Sequence, residues 1–229
     1  MMVMKTIAII VAGGSGTRYG AQLPKQFLKL GTEPILMRTI RTFAECGEKS
    51  LEIIVTLPAG QFGLWQELCE QFGFTLPHRV VAGGETRWHS VKNAIDSIDG
   101  PAEASVIAVH DGVRPLASSD LISRVLAAAR RDGAAIPVVP LNDSVRQLDG
   151  ETSHALDRSL LRAVQTPQAF DARLLMQAYS QPFDPSFTDD ASVVERMGHN
   201  ITLVDGDPRN LKITRPMDLA LAEYLLNNA

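Results

Sequence analysis

Short, unbroken apolar runs rich in β-branched residues recur along this chain, and they limit its fold more than any other feature. Residues 7–11 read IAIIV, and 53–55, 79–81, 106–109 and 136–139 have the same character. Runs of this kind suit strands covered on both faces, as in a parallel sheet between helices. Helical patterns fall between them, at about 34–46, 61–72, 87–98 and 119–131. Strands alternating with helices of this length imply βαβ units. Gly133 supplies the glycine stop expected behind the fourth helix. The expected fold class is α/β, a Rossmann-like, mostly parallel sheet flanked by helices.

The second half is less regular. Residues 141–156 are polar and turn-rich, and Asp149-Gly150 is a hairpin signal. They are expected to form a β-arm protruding from the sheet. Short helices are expected at 171–181 and 189–197 and a strand at 201–204. The last helix carries Leu219, Leu221, Ala222 and Leu225, with Thr214 as its expected cap. The chain of 229 residues has no internal repeat, low-complexity stretch or linker. One domain over residues 1–229, with an arm at about 141–156, is the economical expectation.

Several function classes lose support from composition. The formal net charge is -4, whereas a chain that coats nucleic acid carries a basic face. The apolar N-terminus, residues 1–11, is too short for a membrane span and lacks a cleavage site before the first glycines. Cys46 and Cys69 make neither a disulfide framework nor a CxxC pair, so a reducing cytoplasm is expected. The histidines, at 78, 89, 110, 154 and 199, show no metal-ligand spacing. Gly14-Ser15-Gly16 lacks the spacing of a nucleophile elbow, so a hydrolase triad is unsupported.

In parallel α/β folds ligands collect beyond the carboxyl ends of the strands. Behind the first strand come Ala12, Gly13, Gly14, Ser15 and Gly16, then Arg18, Gly20 and Lys25. Glycines let the backbone approach a phosphate chain and turn N–H groups toward it. Arg18 and Lys25 can then neutralise phosphate charge. The glycines at 13, 14, 16 and 20 match a GxGxxG fingerprint poorly, and no lysine follows at P-loop spacing. The plain alternative is a tight turn with solvated basic residues. Behind the third run come Gly83, Gly84 and Ser90, either a glycine turn opening a helix or backbone set near a base or ribose. Behind the fourth come Asp111 and Arg114, a pair that could hold a metal or a sugar hydroxyl and an anion, or form a surface ion pair of little energetic weight.

With these segments in view, the chain resembles the 2-C-methyl-D-erythritol 4-phosphate cytidylyltransferases. The matching stretches are AGGSGTRYG (12–20), PKQFLKLG (24–31), GGETRWHSV (83–91), HDGVRP (110–115), LDRSLL (156–161), TPQAF (166–170), FTDDASVVE (187–195) and NLKITRPMDLALAE (210–223). The resemblance implies a nucleotidyltransferase that joins CTP to a polyol phosphate. It also implies a homodimer formed through the β-arm, and Mg2+ as divalent cation. Arg18 and Lys25 are then the catalytic residues. Ala12, Gly13, Gly14, Ser15, Gly16, Gly83, Gly84 and Ser90 hold the nucleotide. Asp111, Arg114, Arg158, Thr166, Thr188 and Lys212 position the second substrate, some from the partner's arm, with Asp111 a candidate metal ligand. Ribitol-5-phosphate cytidylyltransferases share the GGSGTR version of the first block and are the alternative activity. A non-catalytic nucleotide-sensing module is the alternative of another class.

Overall fold

The computed structural model describes residues 5–13, 23–98 and 106–228. β1 (Thr6–Val11) opens the main sheet, and β2 (Lys29–Leu30) with β3 (Glu33–Pro34) forms a small ribbon that leads into α1 (Ile35–Ala44). Next come β4 (Leu51–Leu57), α2 (Phe62–Gln71), β5 (Arg79–Ala82), α3 (Arg87–Asp96), β6 (Val106–Asp111), α4 (Ser119–Asp132) and β7 (Ala134–Pro140). β8 (Val145–Asp149) and β9 (Thr152–Leu156) form a hairpin. β10 (Arg162–Val164), β11 (Gln168–Asp171), α5 (Ala172–Ala178), α6 (Asp190–Glu195), β12 (Thr202–Asp205) and α7 (Pro216–Asn227) follow.

β1 lies between β4 and β6 and parallel to both, and β5 extends the parallel set beyond β4. β12 runs parallel to β7. The sheet is mixed around β7: β11 is antiparallel to both β6 and β7 and lies between them, and β10 is antiparallel to β7.

The apolar runs are unbroken because each strand feeds two cores. On β1, Ala8 and Ile10 face one layer while Ile7 and Ile9 face the other. The first layer is closed by Leu36, Met37, Ile40 and Phe43 of α1, Trp65 of α2, and Leu121 and Val125 of α4. The second is closed by Trp88 and Val91 of α3, Leu175 of α5 and Val193 of α6. Each fully buried Ile, Leu or Phe here contributes about 1.5–3 kcal/mol. α4 has signals at both ends: Ser118 accepts from the Leu121 N–H, and Gly133 adopts φ 88° behind the last turn.

The hairpin forms its own two-stranded sheet around the Gly150 turn, with Leu148 left 78% exposed. The two short helices span 172–178 and 190–195, shorter than expected at both ends. The cap of α7 differs from the expectation. Arg215, not Thr214, holds the N-cap position, and Thr214 instead donates through N–H and hydroxyl to Asp218 Oδ2 at 2.7 Å each. Arg215 has no acceptor side chain, so the Asp218 carboxylate inside the first turn takes its N–H at 2.8 Å instead, and Pro216 fills the first helical position, where no N–H is needed. Of the apolar residues expected on α7, Ala222 is buried while Leu221 is 47% exposed.

Candidate active site

Backbone hydrogen bonds draw the carboxyl ends of the central strands together. Gly112 N–H donates to the Val11 carbonyl and Gly83 N–H to the Leu57 carbonyl, both at 2.8 Å. Side chains at these glycines meet close neighbours. A Cβ on Gly112 lies 3.0 Å from Ala12 Cβ, and one on Gly84 only 2.4 Å from His89 Cβ. The Ser90 hydroxyl ties the glycine turn to α3. It accepts from Gly84 N–H and donates to the Thr86 carbonyl, each at 3.0 Å. Thr86 caps α3 by accepting from the His89 N–H. On the opposite side, buried Gln26 donates to the Ala12 carbonyl at 3.0 Å and to Gln61 Oε1 at 2.9 Å. That anchor sets the adjoining Lys25 beside Ala12 and Gly13. The result is a cavity of about 380 Å³ lined by Ala12, Gly13, Lys25, Gly84, Glu85, Thr86, Arg87, Ser90, Asp111 and Lys212.

A second cavity of about 290 Å³ shares Arg87, Asp111 and Lys212 with the first, and adds Arg114, Thr166, Gln168, Thr188 and Asp189. Asp111 is the hub of the common wall. Its Oδ2 lies 3.2 Å from Arg114 Nε and 3.0 Å from Lys212 Nζ, and its Oδ1 3.6 Å from Arg87 Nε. Burial alone pushes a carboxyl pKa up. Here Arg87, Lys212 and Arg114 reverse that and hold Asp111 well below the usual carboxylate range. Arg114 is itself anchored, donating to the Asn210 carbonyl at 2.7 Å.

His110, fully buried behind this wall, is neutral because burial pushes its pKa down to about 4. Its Nε2 faces the Arg114 carbonyl at 3.1 Å, so Nε2 carries the proton and Nδ1 accepts. The Thr166 hydroxyl, 3.0 Å from Nδ1, therefore donates to His110, and it accepts from the Asp111 N–H at 3.0 Å. Its single proton is committed within the protein, which makes Thr166 a support for Asp111 in this arrangement.

The sequence-derived residues fall into three sets. Ala12, Gly13, Lys25, Gly84, Ser90, Asp111, Arg114, Thr166, Thr188 and Lys212 line one or both cavities, and Gly83 underlies the first, in near contact with Ser90. Gly14, Ser15, Gly16 and Arg18 lie outside the described residues. Arg158 is in a separate depression with Pro140, Leu141, Asn142, Ser159 and Arg162, where it donates to the Asn142 carbonyl. Within one chain the fold does not bring it to the shared wall. Asp111 fits poorly as a metal ligand: both its oxygens face cations, which compete for its lone pairs and repel a divalent ion. Among the described residues no cluster of three or more His, Cys, Asp or Glu offers another protein-held site.

A family model described as 2-C-methyl-D-erythritol 4-phosphate cytidylyltransferase matches residues 6–228. The chain belongs to that family. A relative of that name from Bacteroides fragilis is 49% identical over 219 residues, 96% of this chain and 98% of its own length. One from Porphyromonas gingivalis is 43% identical over 228 residues, 99% of this chain and all of its own length. The solved 4-diphosphocytidyl-2C-methyl-D-erythritol synthase from Anaerococcus prevotii superposes with a TM-score of 0.81 at 27% identity, covering 98% of this chain and 96% of that one. The Thermus thermophilus cytidylyltransferase gives 0.73 at 31% identity, covering 99% and 100%.

In this member of the cytidylyltransferase family, sequence reading passed over three residues that build the site: Gln26, Arg87 and Asp190. Gln26 carries no local signal, since a glutamine behind a proline suits any surface turn. Arg87 carries one. It sits in the first turn of α3, where the positive end of the helix dipole disfavours a cation. Such a residue has carboxylate partners to find, and they are Asp190 and Asp111.

Proposed function

We propose that this chain joins CTP to 2-C-methyl-D-erythritol 4-phosphate, giving 4-diphosphocytidyl-2-C-methyl-D-erythritol and pyrophosphate. One observation carries the reading: a glycine-edged cavity and a cation-rich cavity share the wall of Arg87, Asp111 and Lys212. The nucleotide occupies the first, with Lys25 against its phosphates, and the family resemblance assigns Arg18 to the same task. The polyol phosphate occupies the second. Its phosphate oxygen, ionised at neutral pH, attacks the α-phosphorus of CTP. The bond from that phosphorus to the bridging oxygen of the β-phosphate breaks, and pyrophosphate leaves with the electron pair. No proton need move, so a general base is not required.

Catalysis then consists of holding two anions in line and countering charge at the α-phosphorus. Lys25 and Lys212 supply countercharge from the two cavities. Asp111 keeps Lys212 and Arg114 in place between them. Mg2+ enters with the triphosphate in this reading, and no step is assigned to a protein-held ion.

The chain works as one domain in the cytoplasm, and as a homodimer. An isolated two-stranded hairpin is marginal in water, and this one leaves Leu148 exposed at its edge. Docking it on a second copy covers that side chain and offers Arg158 a route to the other copy's polyol phosphate. The test is pyrophosphate release from CTP with methylerythritol phosphate and, separately, with ribitol 5-phosphate. A higher kcat/KM with the first is expected. Preference for the second reassigns the polyol, and release with neither leaves a nucleotide-sensing module.

A further inference from the structure

The Arg87 guanidinium holds two carboxylates from different parts of the chain. Nη1 and Nη2 donate to Asp190 Oδ1 and Oδ2 at 3.0 and 2.7 Å, while Nε lies 3.6 Å from Asp111 Oδ1. Asp190 is fully buried and takes a further hydrogen bond from the Tyr179 hydroxyl at 2.6 Å. Each partner leads to a different part of the cleft. Arg87 opens α3, with Gly84 just before it and Ser90 one turn on. Asp111 anchors Lys212 and Arg114. Asp190 opens α6, next to Thr188 and Asp189 of the second cavity.

We propose that Arg87 is a positioning residue for the transfer step, a bracket that sets the Asp111–Lys212–Arg114 cluster at a fixed distance from the nucleotide turn. This rests on the cytidylyl transfer proposed above. The planar guanidinium spans both carboxylates at once with fixed angles, whereas a lysine brings one point charge on a flexible stem. A purely structural role, neutralising buried Asp190, lowers the melting temperature when the fork is lost but leaves the kcat of the folded variant in place. A positioning role lowers kcat in a variant that still folds. The two reacting anions repel, so their alignment depends on such fixed spacing, and a misplacement of about 1 Å costs on the order of 10²-fold in rate.

The test compares the wild type with Arg87→Lys, Asp190→Asn and the double variant, by pyrophosphate release at saturating substrates and by thermal melting. Wild-type turnover establishes the transfer first; its absence overturns that reading and this proposal together, whereas the variants bear on Arg87 alone. Arg87→Lys is expected to fold and to lose about 10²-fold in kcat while the KM for CTP moves by less than about threefold. Asp190→Asn keeps the Tyr179 contact but loosens the grip on the guanidinium, and should lose kcat with the same unchanged KM. The double variant should be about as slow as the slower single, since both remove one bracket. A kcat for Arg87→Lys near that of the wild type overturns the proposal. So does a rise in CTP KM that accounts for the whole loss, or single losses that multiply. Should Arg87→Lys fail to fold, Asp190→Asn decides: an unaltered kcat there overturns it.

Discussion

Acidification should weaken this fold over a window set by His110. The ring is fully buried, and burial pushes its pKa down to about 4 from the ordinary 6.5. Between those values the unfolded chain takes up a proton that the folded chain refuses, so each downward step in pH favours unfolding. The stabilisation is complete above the ordinary value, falls as pH drops toward about 4, and changes no further below it. At about 1.4 kcal/mol per pH unit, the gap amounts to at most about 3.5 kcal/mol. Asp111 does not blur the window, because its cationic neighbours keep it ionised and its contribution is lost only at lower pH. The control is His110→Gln, whose amide cannot titrate and can still donate toward the Arg114 carbonyl. Urea unfolding from pH 4.5 to 7.5 should give a stability curve for the wild type that slopes more steeply, by up to about 1.4 kcal/mol per unit. Parallel curves for the two proteins would refute the claim that the His110 imidazole is held neutral by its surroundings.

Further outcomes follow from the site. Lys25→Ala should lower turnover by about 10²–10³ while CTP still binds calorimetrically; near wild-type turnover removes Lys25 from the catalytic set. Gly84→Ala forces a Cβ to within 2.4 Å of His89 Cβ, so melting and CTP kinetics should show about 1–3 kcal/mol of strain and roughly tenfold weaker CTP use. Deleting residues 142–154 should weaken dimerisation and raise the KM for polyol phosphate, and a fully active monomer seen by light scattering during turnover would sink the role given to the hairpin.

Local chemistry determined a good part of this protein. The apolar runs became β1, β4, β5, β6 and β7, because a strand sealed between two helix layers needs apolar residues on both faces. Gly133 ends α4 and Gly150 turns the hairpin because each adopts a positive φ that other residues resist. The glycine turns could likewise be read as a site, since close backbone approach leaves a composition mark. Tertiary structure alone decided what no local pattern encodes. The four-residue β11 is inserted antiparallel between β6 and β7, a placement that depends on the two strands it joins rather than on its own residues. Thr166, expected to position the second substrate, lines the second cavity and also meets His110, 56 residues away in sequence. Arg87 found Asp190 across 103 residues, and Arg114 found the Asn210 carbonyl across 96. Spacing along the chain records the repeat of a helix or strand, whereas these pairings depend on which buried charges must meet once the sheet has closed, and that is a property of the packed molecule.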